Sequence, residues 1–335
     1  MNIIIPMAGM GSRLRPHTLT TPKPLVPIAG KSIVHRLVED IADVVNQKVE
    51  KIGFIIKESF GKEIEEKLKK IASSVGAEGH IFYQEEALGT AHAILCAEDI
   101  MEGNIIVAFA DTLFRADFSL DPDKDGIIWV QKVEDPKAFG VVKLNDKNEI
   151  TDFVEKPQQF VSDLAIIGIY YFKDGEFLKK ELRYLLDNDI KDKGEYQITN
   201  ALDNMLKKGA TFTTGEVSEW LDCGNKDVTV HTNQRYLEFI KDKDLVAKSS
   251  SSENSVIIPP VYIGENVRIH NSVVGPHVSI GDDTVIEDSR IKNTIIQTNT
   301  TVRNANLENS MIGNFVTYET RPDDFSVGDY NKIIQ

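Results

Sequence analysis

The run Ile3-Ile4-Ile5-Pro6-Met7-Ala8-Gly9-Met10-Gly11-Ser12-Arg13-Leu14-Arg15-Pro16 decides what kind of chain this is. Three β-branched apolar residues without alternation read as a strand buried on both faces, and a glycine-rich turn follows directly. Glycine lets backbone N–H groups approach a phosphate closely, and the cation Arg13 stands beside them. A second cation, Lys23, lies between Pro22 and Pro24, whose rings restrict its backbone. Together the two stretches read as a site for a polyphosphate. Neither is a familiar nucleotide loop. Leu14 replaces the third glycine of a dinucleotide fingerprint, and Leu25 stands where a Walker A loop ending at Gly30-Lys31-Ser32 needs its first glycine.

Around this cationic front end the chain is acidic. Its 335 residues carry a formal net charge of −14, which argues against nucleic acid or an anionic membrane as the main partner. Anionic substrates must then be met by local clusters of cations and amides. The length predicts roughly two domains. Two cysteines, Cys96 and Cys223, lie far apart without metal-ligand spacing, so no disulfide framework is expected. There is no basic start followed by an apolar run, and no apolar run of transmembrane length. A cytoplasmic protein is the expectation.

From Met1 to about Cys223 apolar strands alternate with amphipathic helices. Strands are predicted at 3–5, 51–56, 80–83, 105–110, 126–133, 141–144 and 168–172, and helices at 32–45, 60–73, 90–98, 175–187 and 198–208. The spacing of Ile64, Leu68 and Ile71 is helical, with Glu and Lys on the other face. Strand–helix alternation predicts an α/β domain with a Rossmann-like, mostly parallel sheet, whose ligands bind beyond the carboxyl ends of the strands. An amphipathic connecting helix is expected at 228–246 and a polar, Ser-rich linker at 248–254.

Beyond the linker the pattern changes. Ile263, Ile269, Val274, Ile280, Ile286, Ile291, Ile296, Val302, Leu307 and Ile312 follow one another at intervals of five or six residues, and every third one repeats after 16 or 17. That is a three-sided coil with one aliphatic per side, a left-handed parallel β-helix of hexapeptide type. The expected division is a catalytic domain at 1–235, a connector at 236–254 and the β-helix at 255–335.

The motif G-x-G-S-R-L-x-P at 9–16, followed by P-K-P-L-x-P-x-x-G-K at 22–31, resembles the signature of the sugar-1-phosphate nucleotidyltransferases, or NDP-sugar pyrophosphorylases. The resemblance implies attack of a sugar 1-phosphate oxygen on the α-phosphorus of a nucleoside triphosphate, with release of pyrophosphate. Two anions must meet, so charge neutralisation and in-line positioning carry most of the catalysis. It further implies that the amides of Gly9–Ser12, with Arg13, hold the β- and γ-phosphates, that Ala8, Gly9, Gly11 and Ser12 are nucleotide-binding residues, and that Lys23 is directed at the reacting phosphates.

Gln84-Glu85-Glu86-Ala87-Leu88-Gly89-Thr90-Ala91-His92-Ala93 resembles the family's pyrimidine-reading segment, closest to the uridylyl- and thymidylyl-transferring members. Gln84, Gly89 and Thr90 are the nucleotide-binding residues it implies, the amide offering donor and acceptor together. His92 is assigned no role, and Gly89-Thr90 also reads as a helix N-cap. Asp111, after a buried strand, and Asp222, in Trp220-Leu221-Asp222-Cys223-Gly224, match the family's two Mg²⁺ carboxylates, although each could singly be a turn acid. On the sugar side, Phe139-Gly140-Val141 and Val154-Glu155-Lys156-Pro157 resemble the segments in which the Gly140 backbone and Glu155 meet sugar hydroxyls and Lys156 pairs with the sugar phosphate. Glu195 resembles a further sugar-side position, which a helix N-terminal acid explains as well.

The expected reaction is therefore Mg²⁺-dependent transfer from dTTP or UTP to a sugar 1-phosphate, with glucose 1-phosphate and dTTP first. N-acetylglucosamine 1-phosphate with UTP is the runner-up. Family members commonly carry Asn-Ala-Gly where this chain has Ile166-Ile167-Gly168, which removes a polar contact near the sugar. Hexapeptide coils also host acetyltransferases, with His270 and His277 as the available bases, but three to four turns is short for that activity. A regulatory relative without activity would have lost a cation or a carboxylate, whereas Arg13, Lys23, Asp111, Lys156 and Asp222 are all present. The coil is expected to assemble copies of the chain into a homo-oligomer.

Overall fold

The computed structural model of the chain describes residues 1–45, 47–116, 124–321, 324, 326–330 and 332. It divides into two compact units, one of Met1–Val26 with Lys31–Asn225, the other of Pro27–Gly30 with Lys226–Gln335.

In the first unit β1 (Asn2–Pro6), α1 (Ile33–Val44), β2 (Lys51–Ile56), α2 (Lys62–Ser74) and β3 (Glu78–Tyr83) alternate as their periodicities predict. After α3 (Thr90–Leu95) come β4 (Ile105–Ala108), β5 (Thr112–Arg115), β6 (Gly126–Lys132), β7 (Gly140–Leu144), β8 (Ile150–Glu155) and β9 (Leu164–Phe172). The helices α4 (Gly175–Asp187) and α5 (Ile198–Lys207) precede β10 (Phe212–Glu216) and β11 (Glu219–Asp222). The main sheet runs β8-β7-β9-β4-β1-β2-β3, with β6 beside β9 and β10 beside β6.

Strands β4, β1, β2 and β3 are parallel, and Ile3, Ile4 and Ile5 are fully buried between the layers that cover both faces. Beyond β4 the sheet becomes mixed. Strand β9 runs antiparallel to β4, β6 and β7, and its register with β6 shifts between Ile166 and Tyr170. At that irregularity Gly168 adopts φ 87, and its carbonyl accepts the Phe109 N–H at 2.9 Å. A side chain is strained in that conformation, so glycine is what the bend requires. The predicted strand at 168–172 is thus the second half of a longer one.

The second unit contains α6 (Lys226–Phe239) and a coil of short parallel strands. Val256 and Ile257 pair with Val273 and Val274, Val261–Ile263 with Val278–Ile280, and Arg268–His270 with Val285–Glu287, each 17 residues on. These pairings build two parallel sheets, of five and six strands, in the architecture of a left-handed β-helix. Ile263, Ile269, Val274, Ile280, Ile286, Ile291, Ile296 and Val302 form its buried core, and Leu307 and Ile312 pack partly against it.

The corners follow the same period. Asn254, Asn271, Asp288 and Asn304 occupy one corner with φ near 50°, and Asn266, Asp283, Asn299 and Phe315 another. His277, Asn293 and Asn309 occupy the third. Asn and Asp tolerate the left-handed region better than other side chains, and here they also bond from rung to rung. Asn254 Nδ2 donates to Asn271 Oδ1 at 2.9 Å, and Asn271 Nδ2 to Asp288 Oδ1 at 3.1 Å.

Two segments depart from the sequence reading. The connecting helix ends at Phe239 rather than Val246. The Ser-rich stretch expected as a linker contains a strand, Ser251–Glu253, which pairs with Arg268–His270 as the first rung of the coil. Its residue opposite the buried Ile269 is Ser252, so the aliphatic signal that marks the other rungs is missing there. Among the described residues no helix is long and apolar enough to cross a membrane.

Candidate active site

The glycine-rich turn and Lys23 are built as one object. Gly11 adopts φ 58 and opens a single turn of 3-10 helix, Ser12–Leu14, which the buried Leu14 side chain anchors. A Cβ on Gly11 would lie 2.6 Å from Cβ of Lys23, so only glycine lets the lysine stem press against the turn. Thr18 Oγ1 donates to the Gly11 carbonyl at 2.8 Å and closes the loop. Lys23 is thereby buried, its side chain 8% exposed, with Nζ 3.2 Å from Oδ2 of the half-exposed Asp111.

Asp111 follows β4 at the carboxyl end of the parallel half of the sheet. Strand β11 runs antiparallel to β5 with Asp222 opposite Thr112, and the Cys223 N–H donates to the Asp111 carbonyl at 3.1 Å. Asp222 therefore arrives beside Asp111. Burial pushes the Asp222 carboxyl above its ordinary value, the Lys23 charge opposes that, the Asp111 charge adds to it, and Arg13 opposes it again. Lys23, Asp111 and Arg13 thus all act on the Asp222 carboxyl.

A second group of polar atoms is organised by Gly89, the residue before α3. It adopts φ 112, and a Cβ there would lie 2.4 Å from the Tyr196 carbonyl oxygen. This close approach lets the Tyr196 N–H donate to Leu88 O at 2.8 Å and Tyr196 O accept from Ala91 N–H at 2.9 Å. Thr90 Oγ1 accepts the Ile198 N–H at 2.9 Å and donates to Gln197 Oε1 at 3.0 Å. Its hydroxyl therefore serves the start of α5 rather than the cap of its own helix. Gln197 Nε2 in turn donates to Glu195 Oε2 at 2.9 Å.

Gln84, buried at the end of β3, donates from Nε2 to Gly89 O at 3.3 Å and to His92 Nδ1 at 3.0 Å. Both N–H bonds of the amide are then engaged, while Oε1 accepts nothing from the chain among the described residues. His92 is a participant that the sequence reading left without a role. Burial lowers its pKa, and the Glu86 charge partly offsets this.

Both groups open onto one cavity of about 410 Å³, a size suited to a small-molecule ligand. Its lining includes Ala8, Gly9, Gly11, Ser12, Arg13, Lys23, Gln84, Gly89, Thr90, Asp111 and Glu195. Asp222 is absent from the lining but its neighbour Gly224 is part of it. A Cβ on Gly224 would come within 2.8 Å of the Asp222 carboxylate.

Gly140, Glu155 and Lys156 do not line this cavity and form a group of their own. Gly140 and Glu155 pair across β7 and β8, and a Cβ on Gly140 would meet Glu155 Oε2 at 3.0 Å. Tyr170 packs nearby. Its hydroxyl is held well above the ordinary tyrosine value, first by burial and then by the Glu155 charge. Lys156 has φ 43 and places Nζ 3.5 Å from Glu155 Oε1. Lys193, which the sequence reading did not single out, donates to the carbonyls of Lys156 at 3.2 Å and Glu155 at 3.5 Å. It stands two residues before Glu195 and so ties this group to the cavity wall. Its place before Gly194-Glu195 was the available signal.

Residues 2–238 match the family model described as nucleotidyl transferase. The chain is 31% identical over 265 residues to the "Bifunctional protein GlmU" of Methanococcus vannielii, an alignment covering 77% of this chain and 59% of that protein. It is 30% identical to the "Low-salt glycan biosynthesis nucleotidyltransferase Agl11" of Haloferax volcanii, over 79% of this chain and 73% of that one. A "Glucose-1-phosphate thymidylyltransferase" of Streptomyces griseus is 26% identical over 96% of this chain and 95% of its own length. The chain thus spans less than two thirds of the GlmU relatives, yet nearly the whole of the thymidylyltransferase. Among solved structures, a UDP-glucose pyrophosphorylase complexed with UDP-glucose superposes with a TM-score of 0.57 at 24% identity, over 71% of this chain and 98% of that one, a likeness of fold. The glycine-rich turn, the buried lysine and the paired aspartates therefore sit in a chain that belongs to the nucleotidyl transferase family.

Proposed function

We propose that the chain transfers a nucleotidyl group from dTTP or UTP to a sugar 1-phosphate, glucose 1-phosphate first, and releases pyrophosphate. A bond forms between a sugar-phosphate oxygen and the α-phosphorus, and the bond from that phosphorus to the oxygen leading to the β-phosphorus breaks. The observation that carries this reading is one cavity that joins Gly9, Gly11, Ser12, Arg13, Lys23 and Asp111 to Gln84 and Gly89. One end offers backbone amides and cations for phosphates. The other offers an acceptor, Gln84 Oε1, and a donor, the Gly89 N–H, which complement the N3–H and a carbonyl oxygen of uracil or thymine. The relatives named glucose-1-phosphate thymidylyltransferase favour dTTP with glucose 1-phosphate, and UTP with N-acetylglucosamine 1-phosphate is the second choice.

In this reading the amides of Gly9–Ser12 and the Arg13 guanidinium hold the β- and γ-phosphates and then the departing pyrophosphate. Lys23, fixed by its stem against Gly11, neutralises charge at the reacting phosphates at no reorganisation cost. Glu155 and the Gly140 backbone accept from or donate to sugar hydroxyls, Lys156 pairs with the sugar phosphate, and Glu195 lies on the same side.

Asp111 and Asp222 suit Mg²⁺. They are oxygen donors, one in the turn between β4 and β5 and one at the end of the neighbouring β11, the Asp111 charge already acts on Asp222, and Mg²⁺ takes one or two carboxylates together with substrate phosphates. When bound, the ion would supply positive charge to the polyphosphate oxygens.

The low cysteine count, with Cys96 and Cys223 far apart in the sequence, supports a reducing compartment such as the cytoplasm. Assembly of copies through the coil draws support from the apolar side chains it leaves exposed, among them Val256 and Phe315. Light scattering of the purified chain reads that assembly, and a monomer at all concentrations would remove it. The function itself is tested by pyrophosphate release with five nucleoside triphosphates against a panel of sugar 1-phosphates. Turnover confined to dTTP or UTP with a hexose 1-phosphate is expected, and turnover confined to ATP or GTP would overturn the assignment.

A further inference from the structure

We propose that His92 is a positioning residue that sets which bases the cavity accepts, by fixing the orientation of the Gln84 amide. The inference rests on the uracil or thymine reading above and goes beyond it. An amide presents a donor and an acceptor of nearly equal shape, so a glutamine that reads a base must be told which way round to sit. Gln84 is turned by the Gly89 carbonyl, and the His92 imidazole, in the tautomer with its proton on Nε2, holds it there. The Gly89 carbonyl can only accept, so Nε2 faces it at 3.3 Å. That carbonyl is shared with the Ala93 N–H at 3.1 Å, and the contact with Gln84 is long. The shorter contact is His92 Nδ1, at 3.0 Å. With its lone pair on Nδ1 and its proton on Nε2, the imidazole takes the second N–H of the amide. Both donors of Gln84 are then consumed within the chain, and Oε1 is the atom left to the cavity.

The consequence is selectivity. Oε1 accepts from the N3–H of uracil or thymine, whereas cytosine presents a lone pair at N3 and an amino group at its neighbour. An acceptor facing a lone pair is repulsive, so the wrong base is rejected by an unfavourable contact as well as by a missing one. Without the imidazole, the amide is held by the shared Gly89 carbonyl only and turns over more freely. Donor and acceptor then average, and the distinction between the bases fades. Burial holds the His92 pKa below its ordinary value, which keeps the lone pair available at neutral pH.

The test compares the wild-type chain with His92→Leu and His92→Asn by steady-state pyrophosphate release with UTP and with CTP, at saturating glucose 1-phosphate. Leucine removes the lone pair. Asparagine places Oδ1 near the position of Nδ1 and restores an acceptor. His92→Leu is expected to lower the ratio of kcat/KM for UTP over CTP by about tenfold, mainly through KM for UTP, while His92→Asn stays within about threefold of wild type. If His92→Leu fails to fold, His92→Ala carries the same comparison.

A ratio unchanged in His92→Leu overturns the role of His92 and leaves the base reading intact. So does a fall in kcat equal for UTP and CTP, which a merely structural residue would give. A ratio lost in His92→Asn as fully as in His92→Leu overturns it too, since the acceptor would then not be what matters. A wild-type enzyme that turns over purine triphosphates only overturns the base reading itself, and this inference with it.

Discussion

Lys23 Nζ lies 3.2 Å from Asp111 Oδ2, across 88 residues of chain, and the lysine is buried while the aspartate is half exposed. The pair brings the loop after β1 to the end of β4. Its burial is one-sided: the lysine is held by its stem, and the aspartate keeps an open face toward the cavity. Such an arrangement leaves the carboxylate able to take another partner from the cavity side.

Lys23→Met keeps the apolar stem against Gly11 and removes the ammonium. Turnover is expected to fall by about 10²–10³-fold, the usual cost of one preorganised charge contact, with a melting temperature close to wild type. Asp111→Asn behaves alike, because its side chain is half exposed and contributes little to folding. Pyrophosphate release and a thermal melt on the same samples check both statements. Undiminished release from either variant removes the roles assigned here.

Gly89→Ala tests the close approach to Tyr196. Its φ of 112 and a Cβ 2.4 Å from the Tyr196 oxygen leave no unstrained place for a methyl group. The variant is expected to lose about 1–3 kcal/mol of stability and to raise KM for the triphosphate more than KM for the sugar phosphate. Denaturant titration reads the first effect and steady-state kinetics the second. A rise confined to the sugar phosphate would move Gly89 to the other end of the site.

Lys156 sits at φ 43, where glycine is at ease and alanine is not. Lys156→Gly therefore removes the ammonium without backbone strain. It is expected to lower kcat/KM for the sugar phosphate by about 10–100-fold, the worth of one charge-assisted hydrogen bond. KM for the triphosphate should stay near wild type, and a larger change there would contradict the placement of Lys156 on the sugar side.

Ile286 is fully buried in the core of the coil. Ile286→Ala is expected to cost about 2–5 kcal/mol of stability, read by denaturant unfolding, while the folded variant keeps wild-type kcat. A folded Ile286→Ala protein with a large loss of kcat would show that the coil takes part in the chemistry.

Much of this organisation is legible in the sequence because it is carried by local pattern. The strand at 51–56 and the helix at 175–187 can be read to the residue, since each is a clean period bounded by turn residues. The coil declares itself through spacings that no sandwich keeps. What the sequence hides is long-range or polar. Strand β10, Phe212–Glu216, reads FTTGE and is half exposed, so no alternation marks it. Ser251–Glu253 is exposed throughout and lies next to a serine run, which made it look like a linker. The bond between Gln84 and His92 joins a strand end to a helix across a turn, eight residues apart, a spacing no periodicity flags. Residues that share a motif order need not share a cavity either: Gly140, Glu155 and Lys156 hold one another, and Lys193 connects them to the segment that leads to Glu195.

The central claim is that the chain joins a nucleoside triphosphate to a sugar 1-phosphate with the help of a divalent ion. It is tested most directly by following pyrophosphate release from the purified chain with dTTP or UTP, glucose 1-phosphate and Mg²⁺, each withheld in turn and the metal also stripped with EDTA. Release that requires all three is the predicted result. Pyrophosphate produced at the same rate without the sugar phosphate, or with the metal stripped, would contradict it.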